Sequence, residues 1–147
     1  MTHTQNTALN QRIENLINQM SISEKVGQLF LMAYTGTDTE YAKHLISEHH
    51  VGGFYISNEN AETHQDAFNL VQKLNYEAQK RICDAPLFLG IDQEGSWSVL
   101  SKTSTSGAGN LALGSADNTV ITEATYHMFA TEMRAVDIML FLPPVPM

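Results

Sequence analysis

Residues 86–95, Pro-Leu-Phe-Leu-Gly-Ile-Asp-Gln-Glu-Gly, constrain the fold more than any other segment of the chain. The apolar run at residues 87–91 ends in Asp92, Glu94 follows two residues later, and Gly95 begins a loop. Buried strands of parallel sheets have continuous apolar sequences of this kind, and α/β folds bind ligands at the carboxyl ends of such strands. The pattern predicts that a buried strand places Asp92 at a ligand-binding edge. Alternatively, Asp92 is a structural residue that caps a helix or loop.

Apolar periodicity divides the rest of the chain into alternating helices and strands. A helical face over residues 8–20 precedes Ser21 and Glu24, which have the spacing of a capping box. Predicted strands lie at residues 28–33, 51–57, 87–91 and 138–142, and Gly52 and Gly53 allow close backbone approach in the second of them. Predicted helices lie at residues 41–49, 61–81 and 118–135, and a long Ser/Thr/Gly-rich loop at residues 95–109.

The order of these elements, a helix followed by β-α-β-α-β-α-β, predicts an α/β fold with parallel neighbouring strands. Two architectures fit this order, a small doubly wound sheet and four βα units of a larger (β/α)8 barrel. A complete barrel usually needs about 250 residues. Because the chain has 147 residues, length by itself favours the doubly wound sheet.

Composition excludes several classes of partner. The net charge is −8 and no Lys/Arg cluster is present, so we expect neither nucleic acid nor an anionic membrane as a partner. The chain has no apolar stretch of membrane-spanning length and no secretory signal, and its single cysteine, Cys83, fits a reducing compartment, so we expect a cytoplasmic location. Because the adjacent His49 and His50 point apart, we expect no metal site. Because no glycine pattern fits a phosphate loop, we expect no cofactor.

Six segments, in chain order, resemble motifs of the N-terminal barrel domain of glycoside hydrolase family 3. Residues 20–30 (M-S-I-S-E-K-V-G-Q-L-F) are similar to that family's M-S-x-x-E-K-V-G-Q-L-F, and residues 86–95 are similar to its P-L-x-x-x-I-D-Q-E-G. The other four segments are residues 50–54, 111–114, 132–135 and 141–143. Six collinear matches indicate homology. The apolar periodicity assigns residues 1–20 to an N-terminal helix, and the resemblance implies that residues 21–147 form the first half of a TIM (β/α)8 barrel with about four βα units.

The resemblance implies a retaining glycoside hydrolase for terminal β-linked sugars, with β-N-acetylglucosaminides first and β-glucosides second. Such enzymes use a nucleophilic carboxylate and an acid/base group, which is a histidine in the hexosaminidase branch. In the family both groups come from segments C-terminal to the matched region, so we expect the 147-residue chain by itself to be inactive. The family role of Asp92 is to accept hydrogen bonds from sugar hydroxyls.

The chain departs from the family pattern near this aspartate and at its last residues. Where the family has D-Q-E-G-G-R-V-x-R, this chain has Ser96, Trp97 and Leu100 in place of the second glycine and the two arginines. Its last residues, F-L-P-P-V-P-M, lack the aspartate of the family's F-A-P-V-x-D-V. The missing arginine and carboxylate predict weaker sugar binding, by about 2 kcal/mol for each buried contact.

Three further features have a functional and a structural interpretation. Trp97 either stacks on a sugar ring, as a second substrate-binding residue beside Asp92, or covers the open end of the core. Asp92 and Glu94 come from one segment and cannot flank a scissile bond, so we interpret Glu94 as structural. We interpret His64 and His127 as isolated surface residues on helices.

Two other interpretations of the chain, besides a part of a glycoside hydrolase, remain open. The chain could be a degenerate half-barrel that acts as a sugar-binding module, with an affinity for monosaccharides that depends on Asp92. It could also be an interaction protein. An open parallel half-barrel exposes strand edges and an apolar inner face, and both favour self-association.

Overall fold

The computed structural model describes residues 3–83, 85–96, 99–138 and 140–142. Its helices and strands are α1 (His3–Gln19), α2 (Ile22–Gly27), β1 (Leu31–Ala33), α3 (Glu40–His49), β2 (Gly53–Tyr55), α4 (His64–Ala78), β3 (Phe88–Asp92), α5 (Asn110–Ala116), α6 (Thr119–Ala135) and β4 (Leu140–Leu142). The four strands form one parallel sheet in the order β1-β2-β3-β4. The predicted α/β fold with parallel βα units is therefore confirmed.

The two faces of the sheet have different surroundings. Phe54 pairs in register with Leu89, and both are buried in a core that α3, α4 and α6 complete. Side chains one position earlier point to the opposite face. There Leu31 and Phe88 occupy one row across the sheet and are 44% and 59% exposed. We call this side the open face; its residues are Leu31, Ala33, Gly53, Tyr55, Phe88, Gly90 and Asp92.

Two capping boxes determine where α2 and α4 begin. Ser21 donates its backbone N–H to a carboxylate oxygen of Glu24 at 2.8 Å, and the Ser21 hydroxyl accepts from the Glu24 N–H at 3.2 Å, as predicted. Thr63 and Asp66 form the same reciprocal pair ahead of α4. Because this second box satisfies the first N–H groups of the helix, α4 begins later than the predicted residue 61.

Two of the other differences from the prediction have local causes. β1 is shorter than residues 28–33 because the N–H groups of Leu29 and Phe30 donate to the carbonyls of Val26 and Gly27 at 3.0 and 3.1 Å, in a turn that follows α2. Helix α5 was not predicted at all. It contains Gly114 in its interior. Because glycine in a helix is about 1 kcal/mol less favourable than alanine, the sequence gives little indication of so short a helix.

Glycine is required where β2 approaches its neighbours. The Gly52 N–H donates to the carbonyl of Gly27 at 2.9 Å, and a Cβ atom on Gly52 would overlap the carbonyl of Gln28. A Cβ atom on Gly53 would overlap the carbonyl of Phe88 on the adjacent strand. The predicted close backbone approach at Gly52 and Gly53 is therefore confirmed.

Arg81 joins the end of α4 to the amino edge of the sheet. Its guanidinium donates to the carbonyl of Val51 from Nη1 at 3.0 Å and to the carbonyl of Ala85 from Nη2 at 2.5 Å. Burial lowers the pKa of Arg81, while the charge of Glu24 opposes this shift. These contacts fix the segments that lead into β2 and β3, so Arg81 is a structural residue at the edge opposite Asp92.

Candidate functional site

Asp92 is the last residue of β3 and lies at the carboxyl edge of the sheet, in register with Leu142 of β4. Strand alternation places its side chain on the open face, on the same side as Phe88. The residue is partly exposed, and among the described residues its carboxylate has no hydrogen-bond or ion-pair partner. Asp92 is thus a partly exposed acidic residue at the carboxyl edge, and its roles as a ligand-binding residue and as a structural cap stay predictions.

The turn that follows Asp92 is held by a buried amide. Gln93 is 1% exposed, and its Oε1 accepts from the N–H of Gly95 at 3.3 Å. Its Nε2 is buried and finds no partner within the described ranges. Gly95 has φ +84°, a conformation that glycine adopts without strain, and a Cβ atom there would meet the Ala108 carbonyl at 2.6 Å. The backbone at the end of β3 is thus fixed from the covered side of the sheet.

The other two residues of this segment with a proposed role are Glu94, which the structure describes, and Trp97, which it does not. Glu94 is half-buried, and its carbonyl accepts from the Ser96 N–H at 3.1 Å. It follows Asp92 on one strand end, so the two carboxylates are presented from a single segment. Trp97 lies outside the described residues, and its stacking and core-covering roles both remain predictions.

Leu100 occupies the core. It is 1% exposed and belongs to the cluster of buried side chains that contains Ile91 and Phe129. A side chain at this position therefore packs beneath the loop and does not face the open side of the sheet. The leucine is used for packing, and the weaker sugar binding expected from the missing arginine stays a prediction.

Residues 99–109 are attached to two helices through a cluster that sequence reasoning missed. The carboxylate of Glu132 on α6 accepts from the Thr105 N–H at 3.2 and 3.3 Å and also from the Thr105 hydroxyl. His64 Nε2 lies 3.6 Å from Glu132 Oε2 and 3.5 Å from Ser104 Oγ. The interpretation of His64 as an isolated surface residue is therefore wrong. We call His64, Ser104, Thr105 and Glu132 the Glu132 junction.

The Glu132 junction does not have the geometry of a nucleophilic triad. In such a triad one ring nitrogen of the histidine faces the hydroxyl and the other faces the carboxylate. Here Ser104 and Glu132 both face Nε2 of His64. No spacing rule links these positions along the chain, and Glu132 enters the sequence analysis only as the first residue of the matched segment 132–135.

Asn60 fixes the loops that follow β1 and β2 at the same edge of the sheet. It is 4% exposed and donates from Nδ2 to the carbonyls of Tyr34 and Gly36, both at 2.9 Å, while its Oδ1 accepts from the Ser57 N–H at 3.0 Å. Burial, assisted by the charge of Asp38, raises the pKa of Tyr34 to about 12, so its hydroxyl stays neutral at ordinary pH. The hydrogen bonds of Asn60 thus join the loops after β1 and β2 at the carboxyl edge of the sheet.

Two properties of the described residues bear on metals and membranes. They contain no group of three His, Cys, Asp or Glu side chains arranged to hold a metal ion. None of their helices combines the length and the apolar character that crossing a membrane requires.

Comparison with known proteins gives one family. The model of the glycosyl hydrolase family 3 N terminal domain matches residues 21–146. A comparison with curated proteins finds no match. The solved structure of a glycoside hydrolase family 3 beta-N-acetylglucosaminidase from Paenibacillus sp. str. FPU-7 is similar, with a TM-score of 0.73 and 29% identity, over 85% of this chain and 24% of that one.

Two more distant structures share the fold. One is a fungal multi-domain GH3 beta-N-acetylglucosaminidase, with a TM-score of 0.75 and 23% identity over 84% of this chain and 15% of that one. The other is the beta-glucoside phosphorylase BglX bound to 2FGlc, with a TM-score of 0.71 and 19% identity over 98% of this chain and 24% of that one. The chain thus spans a quarter or less of the length of each structure. The predicted partial barrel fold is confirmed.

Proposed function

The chain belongs to glycosyl hydrolase family 3, as an N-terminal domain, and on this premise we propose that it binds the terminal sugar of a β-linked glycan at Asp92. The observation that carries the proposal is the partly exposed Asp92 at the carboxyl end of β3, on the open face of the sheet. Active sites of (β/α)8 barrels lie at this end of the strands. The ligand is a β-N-acetylglucosaminide first and a β-glucoside second, since the similar structures include two beta-N-acetylglucosaminidases and a beta-glucoside phosphorylase.

Recognition rests on the hydrogen-bond chemistry of a carboxylate. Two adjacent hydroxyls of a pyranose can each donate to one oxygen of Asp92, and such charge-assisted bonds are about twice as strong as neutral ones. Gln93 and Gly95 hold the turn beside this carboxylate, which limits the reorganisation needed on binding. We assign Trp97 to the same subsite as a stacking platform, on the basis of its place in the sequence.

Hydrolysis requires two catalytic groups that Asp92 and Glu94 do not provide. A retaining mechanism places a nucleophile and an acid/base group on opposite sides of the glycosidic bond, about 5 Å apart. Asp92 and Glu94 extend from the end of one strand and cannot take up that arrangement. We propose that Asp92 binds and orients the sugar and that the 147-residue polypeptide by itself does not cleave it. The proposed location is the cytoplasm, which the single Cys83 supports.

Asp92→Ala tests this proposal. We expect it to weaken the binding of N-acetylglucosamine at least about tenfold, since a hydrogen bond to a charged group contributes about 1.5–3 kcal/mol. Asp92→Asn should lose less, because the amide oxygen still accepts. The matched control is Asp117→Asn at an exposed residue outside the site, and it should leave the affinity unchanged. Calorimetric titration measures all four proteins, and equal affinities of Asp92→Ala and wild type would contradict the proposal.

The open face supports a second function, self-association. Parallel sheets are normally covered on both faces. Here Leu31 and Phe88 lie exposed in one row of the sheet. We propose that a second copy of the chain covers this row, and that Phe88→Glu keeps the chain monomeric while Ile82→Glu, at a residue 97% exposed and outside the sheet, does not. Sedimentation equilibrium measures the difference, and a wild-type chain that remains monomeric as concentration rises would contradict the proposal.

A further inference from the structure

Helix α6 supports the loop after β3 through two side chains on one face. Phe129 and Glu132 are three residues apart, so they lie on the same side of the helix. Phe129 is 1% exposed, and its ring lies 3.4 and 3.2 Å from where Cβ atoms would stand on Gly95 and Gly107. The two glycines thus allow the base of the loop to lie directly on the ring.

Hydrogen bonds then close the loop and attach it to Glu132. The Gly107 N–H donates to the Gly95 carbonyl at 2.8 Å, which joins the two ends of the loop. Two residues earlier, the Thr105 N–H and hydroxyl both donate to the Glu132 carboxylate. The turn beside Asp92 is therefore connected to α6 through Gly95, Gly107 and Thr105 in succession.

The position of Glu132 within α6 is unfavourable for the helix itself. It lies in the last turn, where the helix dipole disfavours a negative charge. Its side chain is 21% exposed, and the groups that face it are the Thr105 N–H and hydroxyl and the imidazole of His64, which is also in contact with the Ser104 hydroxyl. The helix dipole thus disfavours a glutamate here, whereas attachment of the loop favours one.

We propose that Glu132 is a positioning residue for Asp92: it fixes residues 99–109, and through the bond between Gly107 and Gly95 it fixes the turn that presents the carboxylate. The effect on sugar affinity rests on the proposed function. The effect on the order of the loop does not depend on it.

The test is Glu132→Ala, with Glu123→Ala as the matched control because Glu123 is exposed on the same helix. We expect amide hydrogen exchange of Thr105 and Gly107 to become at least about tenfold faster in Glu132→Ala, since both amides then open locally. The dissociation constant for N-acetylglucosamine should rise about fivefold or more. Glu132→Gln should give intermediate values, because one acceptor oxygen remains, and Glu123→Ala should match wild type.

The two readouts separate the failure of this proposal from the failure of the proposed function. Unchanged exchange of Thr105 and Gly107 in Glu132→Ala would overturn the positioning role, whether or not the chain binds sugar. Faster exchange with unchanged sugar affinity would overturn the connection to Asp92. If the wild-type chain binds no sugar, the proposed function fails, and the exchange of Gly107 still decides whether Glu132 holds the turn. Glu132→Gln provides the same comparison if Glu132→Ala does not fold.

Discussion

Gly53→Ala is expected to destabilise the folded chain by about 3 kcal/mol, the upper range for an added methyl group in a packed site. Its Cβ atom would overlap the backbone carbonyl of Phe88 and would stand 2.9 Å from Leu31 Cδ1. Leu31 can move, but the Phe88 carbonyl belongs to the strand paired with β2 and cannot move without disturbing that pairing. Small domains have total stabilities of about 5–15 kcal/mol, so a loss of this size removes a large share of the free energy of unfolding.

Urea unfolding followed by circular dichroism measures this effect. Gly114→Ala is the matched control, since nothing lies within 4 Å of its added Cβ atom and the residue is inside helix α5. We expect the control to leave stability unchanged or to raise it by up to about 1 kcal/mol. A Gly53→Ala chain as stable as wild type would show that β2 and β3 do not approach as closely as described.

Leu100→Arg is expected to be more damaging still, even though it restores the residue of the family motif. Leu100 is 1% exposed in the core, and an unpaired guanidinium placed there loses its hydration. We expect a loss of about 4 kcal/mol or more, and no gain in sugar affinity, because the new side chain begins inside the packed cluster.

Leu111→Arg is the control for this substitution. Leu111 is 88% exposed on α5, so the same chemical change is made there outside the core. Thermal unfolding should separate the two variants clearly, with Leu111→Arg close to wild type. A Leu100→Arg chain that is stable and binds N-acetylglucosamine more tightly would contradict the placement of residue 100 in the core. It would instead place this position at the sugar subsite.

Sequence reasoning predicted best where one strong local pattern decided the structure. The apolar run before Asp92 gave both the strand and the exit of the aspartate at the carboxyl edge, and Ser21 with Glu24 gave the start of α2. The start of α4 was missed because Thr63 and Asp66 form a capping box whose fourth position is aspartate in place of the usual glutamate.

The parts that could not be predicted depend on contacts between distant segments. His64 and Glu132 belong to different helices, and their proximity follows from how α4 and α6 pack on the same side of the sheet. Leu100 lies in a polar loop sequence, and its burial depends on the core cluster that other segments of the chain form. Neither contact produces a periodic or spaced pattern along the chain.

The most direct test of carbohydrate binding at the end of β3 is an NMR titration of the wild-type chain with the methyl β-glycoside of N-acetylglucosamine. We expect saturable shifts of the backbone amides of residues 92–96 and of Gly107, and none of comparable size at Arg81 on the opposite edge. No saturable shift, or shifts centred away from Asp92, would contradict the proposal that this strand end is a sugar subsite.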